Sequence, residues 1–152
     1  MKHLVAICLV FVSGALTGSA YSRESNLADL KHYQWQNRLL LIFAPSEDYP
    51  AYRLLADELR RKQDGVHDRD VLVFSLLEKG QSRLGDARLD QATGEALRKR
   101  FSVKQGNFTV ILIGKDGGEK LRREEGANLG EIFGLIDTMP MRRREMRRKT
   151  DR

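Results

Sequence analysis

Cysteine is almost absent from this 152-residue chain, which contains a single one, Cys8. Cys8 lies in an apolar N-terminal segment, so a chain that loses this segment has no thiol. Such a chain forms no disulfide, and it offers no thiolate as a nucleophile or metal ligand. Its stability must come from an ordinary hydrophobic core, for which the roughly 130 remaining residues suffice in a single domain.

Long hydrophobic runs are also missing. The apolar segment over residues 4–12 is much shorter than the roughly 20 residues that a membrane-spanning helix needs. It follows the positive charge of Lys2 and precedes small residues that end at Ala20. We expect a secretory signal peptide over residues 1–20, cleaved after Ala20, and hence a periplasmic or secreted protein with no transmembrane segment after signal removal. A retained N-terminal anchor is the alternative.

Histidine is scarce as well, with three residues in the chain. The two that follow the N-terminal segment, His32 and His67, lie in separate elements and show no HExxH spacing, so a zinc site is not indicated. Ser46 does not lie in a GxSxG motif, which argues against a serine nucleophile on a sharp turn. We therefore predict no metal site, no cofactor and no catalytic residue.

Positive charge is in excess. The chain has 27 lysines and arginines, and loss of Lys2 leaves 26 of them against 21 acidic residues, a net charge of +5. In a cytosolic protein this surplus would indicate a nucleic-acid partner. For an exported protein we expect no nucleic acid, but rather an unknown envelope protein or an acidic envelope component. The alternative is an ordinary soluble surface that happens to be basic.

Three apolar runs predict central strands, over Arg38–Ala44, Val71–Leu77 and Val110–Ile113. The third run is followed by Asp116-Gly117, a hairpin signal, because glycine tolerates the positive φ that tight turns demand. The return segment Glu119–Arg123 carries charge around a single leucine, as expected of a solvent-facing edge strand. We expect the lysine and aspartate of this turn to serve the turn itself.

The segments between these strands predict four helices. Their expected caps and ends, in chain order, are Asn26, Pro50, Gly65, Asp90, Asn128 and Pro140. The positions expected to face inward from the second and third helices are Leu54, Leu55, Leu59, Ala92, Ala96, Leu97 and Phe101. Pro45 is expected to end the first strand, and residues 78–89 are expected to form a loop or a small hairpin.

This order of elements implies an α/β fold. Strand–helix–strand units give parallel pairs through right-handed crossovers, whereas the hairpin is antiparallel, so we expect a mixed four-stranded sheet flanked by helices. The predicted organisation is a signal peptide over residues 1–20, one domain over 25–140 and a basic tail over 141–152. The order is also that of a thioredoxin-like fold. Neither redox device of thioredoxins is present, since residues 43–50 lack cysteine and Asn107-Phe108-Thr109 occupies the place of the cis-proline.

A more specific resemblance rests on short motifs spread along the chain. They are Trp35-Gln36-Asn37-Arg38, Ala44-Pro45, Tyr52, Asp68-Arg69-Asp70, Phe108, Ile113-Gly114-Lys115-Asp116-Gly117-Gly118, Lys120 and Ile136-Asp137-Thr138-Met139-Pro140-Met141-Arg142. On these motifs the sequence resembles the bacterial branch of the DUDES family, peroxiredoxin-like domains also called domain-of-unknown-function family 4174. It is also similar to a domain of the eukaryotic secreted DRO, URB, SRPUL and Equarin proteins. The resemblance implies the fold and an exported location, but no catalytic residues.

Candidate ligand-binding residues occur in two settings. Ser46 to Tyr49 precede the helix that starts at Pro50, where free backbone N–H groups favour an anion, and the fold places this loop opposite Asn107 and Phe108. The alternative is that the two acidic residues of the loop satisfy the helix end and repel an anion.

Arg38 and Arg69 form the second setting, because each flanks a central strand. Either guanidinium could clamp a carboxylate or a phosphate. The alternative is that they pair with acidic residues and hold the strand ends, for which the candidates are Asp68, Asp70 and Asp137.

The tail carries six cations and one acid between residues 141 and 149. It lacks a full apolar stripe, so deep membrane insertion is not expected. It is either a solvated, partly disordered end or a basic contact surface. Two functional classes remain for the whole chain: a non-catalytic binding or structural module of the cell envelope, or an oxidoreductase-related enzyme that uses a partner's thiol or a non-thiol site. The absence of a thiol favours the first.

Overall fold

The computed structural model describes residues 29–151, and the predicted signal peptide and the Asn26 helix cap lie outside them. Within these residues, a short 3₁₀ helix over Leu30–Tyr33 precedes six strands and five α-helices. The strands are β1 (Arg38–Ser46), β2 (Val71–Lys79), β3 (Arg83–Leu84), β4 (Ala87–Arg88), β5 (Thr109–Ile113) and β6 (Glu119–Arg123). The helices are α1 (Pro50–Arg61), α2 (Gln63–Asp68), α3 (Gln91–Arg100), α4 (Leu129–Thr138) and α5 (Pro140–Thr150).

The strands form one mixed sheet in the order β4-β3-β2-β1-β5-β6. β1 pairs in parallel with β2 and antiparallel with β5, which turns back into the edge strand β6. The predicted mixed α/β sheet is confirmed. It has six strands rather than four, because the segment after β2 forms a small hairpin whose first strand, β3, pairs with β2.

β1 is the central strand and is buried on both faces, so a core layer lies on each side of the sheet. Leu40, Ile42 and Ala44 pack in the layer that contains the apolar faces of α1 and α4. Leu39, Leu41 and Phe43 pack in the opposite layer, with α3 and the 3₁₀ helix. Successive side chains of a strand point to opposite faces, which explains why an unbroken apolar run is needed here.

β1 continues through Pro45 to Ser46, whereas the sequence predicted that Pro45 ends it. The strand β5 pairs with β1 only as far as Phe43, so beyond that point β1 has a single neighbour, β2. A proline has no N–H to donate, and on a strand with one open side no donor is required there. The parallel ladder resumes at Ser46, which lies opposite Lys79.

The inward face of α3 differs from the prediction by one position. Ala92 and Ala96 are exposed, and the buried residues are Thr93, Gly94, Leu97 and Arg98. Burial of Leu97 excludes far more apolar surface from water than burial of an alanine does, so Leu97 dominates the orientation of the helix. The rotation also brings the guanidinium of Arg98 to two backbone carbonyls, which satisfies its buried donors.

The helices α1 and α2 also depart from the prediction. Leu54 points to solvent with 69% of its surface exposed, because the inward line of α1 follows Leu55 and Leu59, one turn apart. Gly65 does not end a helix but lies inside α2. A Cβ atom at Gly65 would lie 2.8 Å from the Phe133 ring, so glycine allows α2 to approach α4 closely.

The basic tail is an ordered helix, α5, rather than a solvated and partly disordered end. Pro140 lies in the first turn of this helix, where its missing N–H has no cost. Met139 separates α4 from α5 with an extended backbone, at φ −67° and ψ 139°, and this redirects the chain. Among residues 29–151, no helix has both the length and the apolar character needed to span a membrane.

Candidate functional site

The structure places the six candidate ligand-binding residues at opposite ends of the sheet. Ser46, Tyr49, Asn107 and Phe108 lie at the carboxyl end of β1, and Arg38 and Arg69 lie at its amino end. β1 has nine residues, so at about 3.3 Å per residue its ends are roughly 26 Å apart. The two settings are therefore separate candidate sites.

At the carboxyl end, the loop Ser46–Tyr49 meets Phe108, as the sequence predicted. The ring of Tyr49 stacks on that of Phe108, with 5.8 Å between centroids and 15° between planes. The backbone N–H of Tyr49 donates to the Ser46 carbonyl, at 3.3 Å. Phe108 is buried, whereas Asn107 is exposed. Two aromatic rings thus close this end of the core.

The start of α1 has no side-chain cap. Tyr49 is the residue before the helix, and Pro50 occupies the first turn. Neither Glu47 nor Asp48 bonds the helix start within the described part of the chain, and both side chains are exposed. The loop therefore presents a hydroxyl, backbone donors and an aromatic stack, but no thiol.

Arg98 is a buried cation near this end that the sequence reasoning did not single out. It forms an ion pair with Glu78, at 3.1 Å, and its guanidinium carbon lies 5.4 Å from the centre of the Phe43 ring. Burial lowers the pKa of Arg98, and the charge of Glu78 opposes that shift. Its guanidinium also bonds the Leu76 and Lys104 carbonyls, at 3.4 and 3.2 Å. Arg98 thereby ties α3 to the end of β2.

At the amino end, nine charged side chains meet in what we call the charged network. Its members are Arg38, Asp68, Arg69, Asp70, Lys115, Asp137, Arg142, Glu145 and Lys149. Five are cations and four are acids. Three of them, Arg142, Glu145 and Lys149, belong to the C-terminal helix α5, so the network fastens α5 to the sheet.

Glu145 occupies the most enclosed part of the network. Its two carboxylate oxygens accept from the two terminal nitrogens of Arg38, at 3.2 and 3.4 Å. The Lys115 ammonium lies 2.9 Å from the same carboxylate and 2.7 Å from Asp70. Arg38 is 1% exposed and Lys115 9% exposed, so both cations are almost completely removed from water.

Arg142 forms the second part of the network. Its guanidinium bonds both the carboxylate and, at 2.7 Å, the backbone carbonyl of Asp68, and its Nε donates to Asp137 at 3.1 Å. Lys149 lies on the same face of α5 as Arg142 and also pairs with Asp68. α5 is thus held at residues 142, 145 and 149, which share one side of the helix.

Arg69 takes the alternative that the sequence left open, pairing rather than ligand clamping. Its guanidinium lies 2.6 Å from Asp137 and donates to the Gly65 carbonyl at 3.1 Å. It also stacks over the Phe133 ring, 4.3 Å from the centroid. Arg38 is likewise paired, but with Glu145 rather than with the aspartates that the sequence offered as candidates.

The network lowers the pKa of three of its carboxyl groups. Burial alone would raise the pKa of Glu145, but hydrogen bonds from Lys115 and Arg38 outweigh it. Burial at Asp137 is likewise outweighed by its two arginine partners, so its pKa is lowered. At Asp68 the largest cause of the lowered pKa is the hydrogen bond from the lysine of α5. All three groups are carboxylates at neutral pH, which makes them poor proton donors there.

Lys115 does not serve the turn, contrary to the expectation from sequence. It is buried in the network, and its carbonyl accepts from the Trp35 N–H at 2.6 Å. Asp116 does serve the turn, because its carboxylate accepts from the Gly118 N–H at 3.0 Å and pairs with Lys120. Gly117 adopts φ +82°, the left-handed conformation that the hairpin signal implied.

The sequence carried one signal for this network. Seven of its nine members lie within the motifs that support the family resemblance: Arg38, Asp68, Arg69, Asp70, Lys115, Asp137 and Arg142. These motifs are scattered along the chain but converge at one end of the sheet. Glu145 and Lys149 lie outside the motifs, and no sequence pattern indicated them.

Chemically, the network is an arrangement of cations that hold carboxylates. Its cations surround carboxylates in hydrogen-bonding geometry, and each acid has a cationic partner. Among residues 29–151, no cluster of histidine, cysteine and acidic side chains could hold a metal ion.

Relatives of known sequence include the sushi repeat-containing protein SRPX2 of Xenopus laevis, 29% identical over 114 residues, which cover 73% of this chain and 25% of that protein. Human sushi repeat-containing protein SRPX is 28% identical over 120 residues, covering 77% of this chain and 26% of that one. Coiled-coil domain-containing protein 80 of Danio rerio is 27% identical over 133 residues, covering 77% and 15%. The chain therefore spans about a quarter or less of the length of these relatives.

Solved structures support the fold. The reduced 2-Cys peroxiredoxin of Plasmodium vivax superposes with a TM-score of 0.58 at 17% identity, covering 76% of this chain and 84% of that one. Thioredoxin peroxidase I of Plasmodium yoelii superposes with a TM-score of 0.56 at 15% identity, covering 76% and 79%. The α/β fold is thus thioredoxin-like, of the peroxiredoxin type. The family described as "Domain of unknown function (DUF4174)" matches residues 29–145, and the chain belongs to this family.

Proposed function

We propose that this protein is a non-catalytic binding or structural module of the cell envelope, exported by its N-terminal signal peptide to the periplasm or beyond. The observation that supports this most is the chemistry at the carboxyl end of β1. Thioredoxins place their redox cysteines there, and this chain has the loop Ser46–Tyr49 with a tyrosine stacked on Phe108.

Thiol chemistry requires a thiolate, and the described domain contains none. Disulfide exchange proceeds by thiolate attack on sulfur, and neither a hydroxyl nor a phenol replaces it. The peroxidase activity that the names of the solved neighbours imply belongs to those proteins. At 15–17% identity, the likeness extends to the fold alone. A fold is a scaffold for many functions, so the site decides.

The partner that we propose is an acidic protein of the envelope. Four arginines of α5 point away from the charged network: Arg143, Arg144, Arg147 and Arg148. Each is exposed, and within residues 29–151 none of them lies in an ion pair. Their spacing puts them on one side of the helix, opposite the side that the network holds. A basic face of this kind attracts an acidic surface.

The test combines an activity assay with a capture experiment. The protein is purified after expression of the full chain and is assayed for insulin reduction and for peroxide turnover, beside a thiol peroxidase as positive standard. We expect no turnover above buffer. Turnover that persists through exhaustive purification would instead support the alternative, an oxidoreductase-related enzyme that uses a non-thiol site or a partner's thiol.

The capture experiment passes envelope extract over the immobilised protein at physiological salt. We expect retention of one or a few acidic proteins, and loss of that retention on an immobilised control that carries a reversed charge on the basic face. Mass spectrometry of the purified protein should find Tyr21 as its first residue. A preparation that keeps residues 2 and 3, or one that retains no envelope protein, would contradict the proposal.

A further inference from the structure

Two nearly buried cations converge on a single carboxylate in the charged network. Arg38 contributes both terminal guanidinium nitrogens, at 3.2 and 3.4 Å from the two oxygens of Glu145, and Lys115 adds its ammonium at 2.9 Å. A bidentate guanidinium that binds end-on through its two terminal nitrogens is a geometry that proteins use to recognise carboxylates, and a second cation beside it adds to the attraction. The site therefore matches a carboxylate in shape and in charge.

The two cations belong to the sheet, whereas the carboxylate belongs to α5. Arg38 begins β1, and its guanidinium also donates to the Arg69 carbonyl at 2.8 Å. Lys115 follows β5 and has a second partner, Asp70, at 2.7 Å. Both cations would thus keep their place without α5. Glu145, the anion that they share, would leave with the helix.

Charge, rather than apolar burial, holds α5 in place. Of its residues from Pro140 to Thr150, only Arg142 is fully buried, and its apolar residues Met141 and Met146 are half-buried. Of the pairs that hold α5, the exposed one between Lys149 and Asp68 weakens with salt, whereas the enclosed pairs of Arg142 and Glu145 are screened much less and yield only to an anion that replaces their carboxylate. A single extended residue, Met139, joins α5 to α4.

A cleft of about 280 Å³ runs beside this site. It lies between the β5–β6 turn and the junction of α4 with α5, and its lining includes Arg38, Lys115 and Lys120. Three of its lining residues are cations against one acid, Asp116, which pairs with Lys120, so the cleft carries a net positive charge. The volume is enough for an acidic side chain, and the cleft is bounded by Arg38 and Lys115, the two cations that hold Glu145.

We propose that Arg38 and Lys115 form a carboxylate-binding site, which α5 occupies with Glu145 in this structure and which takes an acidic side chain of a partner protein when α5 moves aside. This inference rests on the proposed function and deepens it, because it names the site and the chemistry of the partner. α5 then acts as a built-in competitor that keeps the site closed until an acidic partner is present.

The competition sets what kind of partner can open the site. Glu145 is tethered, so its effective concentration is in the millimolar range or above. A single free carboxylate at micromolar concentration does not displace it. A segment with several acidic residues does, because it can engage the site and the exposed arginines of α5 together. Removal of the Glu145 carboxylate removes the competitor and opens the site to weaker ligands.

The first experiment uses formate as the probe, with protein purified after expression of the full chain. Thermal melting of the Glu145→Ala variant is followed as sodium formate replaces sodium chloride at constant ionic strength. We expect a lowered melting temperature that formate restores, and no such gain for wild type. The matched control is Glu131→Ala, which removes an equal charge from the surface pair with Arg123. An equal response of both variants to formate overturns the proposal.

The second experiment measures binding of a fluorescent peptide of six glutamates at physiological salt. We expect at least tenfold tighter binding to Glu145→Ala than to Glu131→Ala, and loss of the gain when Lys115→Gln is added to Glu145→Ala. Equal affinity of the two single variants means that net charge alone is responsible, which overturns the site. The isosteric variant Glu145→Gln should behave as Glu145→Ala does.

Failure to fold is itself informative in this design. A Glu145 variant that folds only with formate supports the site, and one that stays unfolded with formate contradicts it. The proposed function is judged separately by the capture of envelope protein on wild type. If capture succeeds and the peptide shows no preference, this inference fails while the binding function stands.

Discussion

Arg38 illustrates how costly a buried charge is and how this chain accommodates it. Its side chain is 1% exposed, and its terminal nitrogens are satisfied by Glu145 and by the Arg69 carbonyl, whereas its Nε has no partner in the described part of the chain. Buried ion pairs often contribute little net stability, because desolvation opposes the Coulomb attraction. Their loss is expensive, however, since the remaining charge stays buried and unpaired.

Replacement of Glu145 by alanine tests that asymmetry. The variant leaves Arg38 and Lys115 without their shared anion, so we expect the free energy of unfolding to fall by about 3 kcal/mol. The comparison is Glu131→Ala, whose carboxylate forms a partly exposed pair with Arg123 and whose loss should cost under about 1 kcal/mol. Urea denaturation of both variants measures the difference. Equal losses would show that the enclosed part of the network is not special.

Acid should weaken the protein through the same carboxylates. The pKa values of Asp68, Asp137 and Glu145 in the folded state lie below their ordinary values of 3.8 for aspartate and 4.5 for glutamate. Groups with a lowered folded pKa contribute stability that is fully present above the unfolded pKa and is lost as pH falls through the folded one. We expect the free energy of unfolding to hold between about pH 5 and 7 and to fall below about pH 4.5.

The control for this pH dependence is a pair of aspartate-to-asparagine variants. Asp137→Asn removes a network carboxylate, so it should lower stability at pH 7 and reduce the loss on acidification. Asp57→Asn removes an exposed carboxylate that pairs with Arg60 on the surface of α1, and it should change neither by much. Denaturant titrations from pH 3 to 7 check both expectations. An unchanged acid loss in Asp137→Asn would contradict the assignment.

At the scale of elements, backbone conformation makes two glycines respond in opposite directions. Gly117 has φ +82° in the β5–β6 turn, a conformation that alanine adopts only with strain, so Gly117→Ala should destabilise the domain by about 1 kcal/mol or more. Gly134 lies inside α4 with open space around it, and alanine there should stabilise by about 0.5–1 kcal/mol. Thermal melting of the two variants should shift in opposite directions, and a shift in the same direction would be inconsistent with this account.

The sequence predicted strands better than it predicted helix faces. An unbroken run such as Leu39–Ala44 is unambiguous, because a strand with cores on both faces needs every residue to be apolar. The faces of α3 were harder to assign, since its alanines carry little apolar surface and its orientation is decided by Leu97 and by the bonds of Arg98. Local periodicity does not contain those long-range bonds.

At the scale of the whole molecule, the two candidate sites differed in how far the sequence could predict them. The helix-end loop and Phe108 were placed together correctly, because the order of elements alone puts both at the carboxyl end of the sheet. The charged network was not predicted from the sequence, because its ion pairs join residues as distant as Arg38 and Glu145, which are 107 positions apart. Charge pairing has no sequence period, so only the fold brings such partners together.

Because the basic tail forms the helix α5 and not a disordered end, a simple truncation is a poor test of its role. A chain cut after Pro140 would lose the exposed arginines, but it would also lose Glu145 and expose Arg38 and Lys115. Its behaviour would therefore mix loss of a surface with damage to the network. Substitution of the four outward arginines by glutamine removes the surface alone, because residues 142, 145 and 149 keep the helix attached.

We expect this quadruple variant to retain less acidic envelope protein than wild type at low salt, with the difference shrinking as salt rises. Exposed charges are screened over about 8 Å at physiological ionic strength and about 3 Å at 1 M, so an attraction through the arginines fades across this range. A contact at the Ser46–Tyr49 loop would depend on salt much less. The measurement is retention of envelope proteins on both forms over a salt series, with equal melting temperatures as the control for folding. Equal retention at every salt concentration would remove the basic face from the hypothesis and leave the loop at the carboxyl end of β1 as the candidate contact.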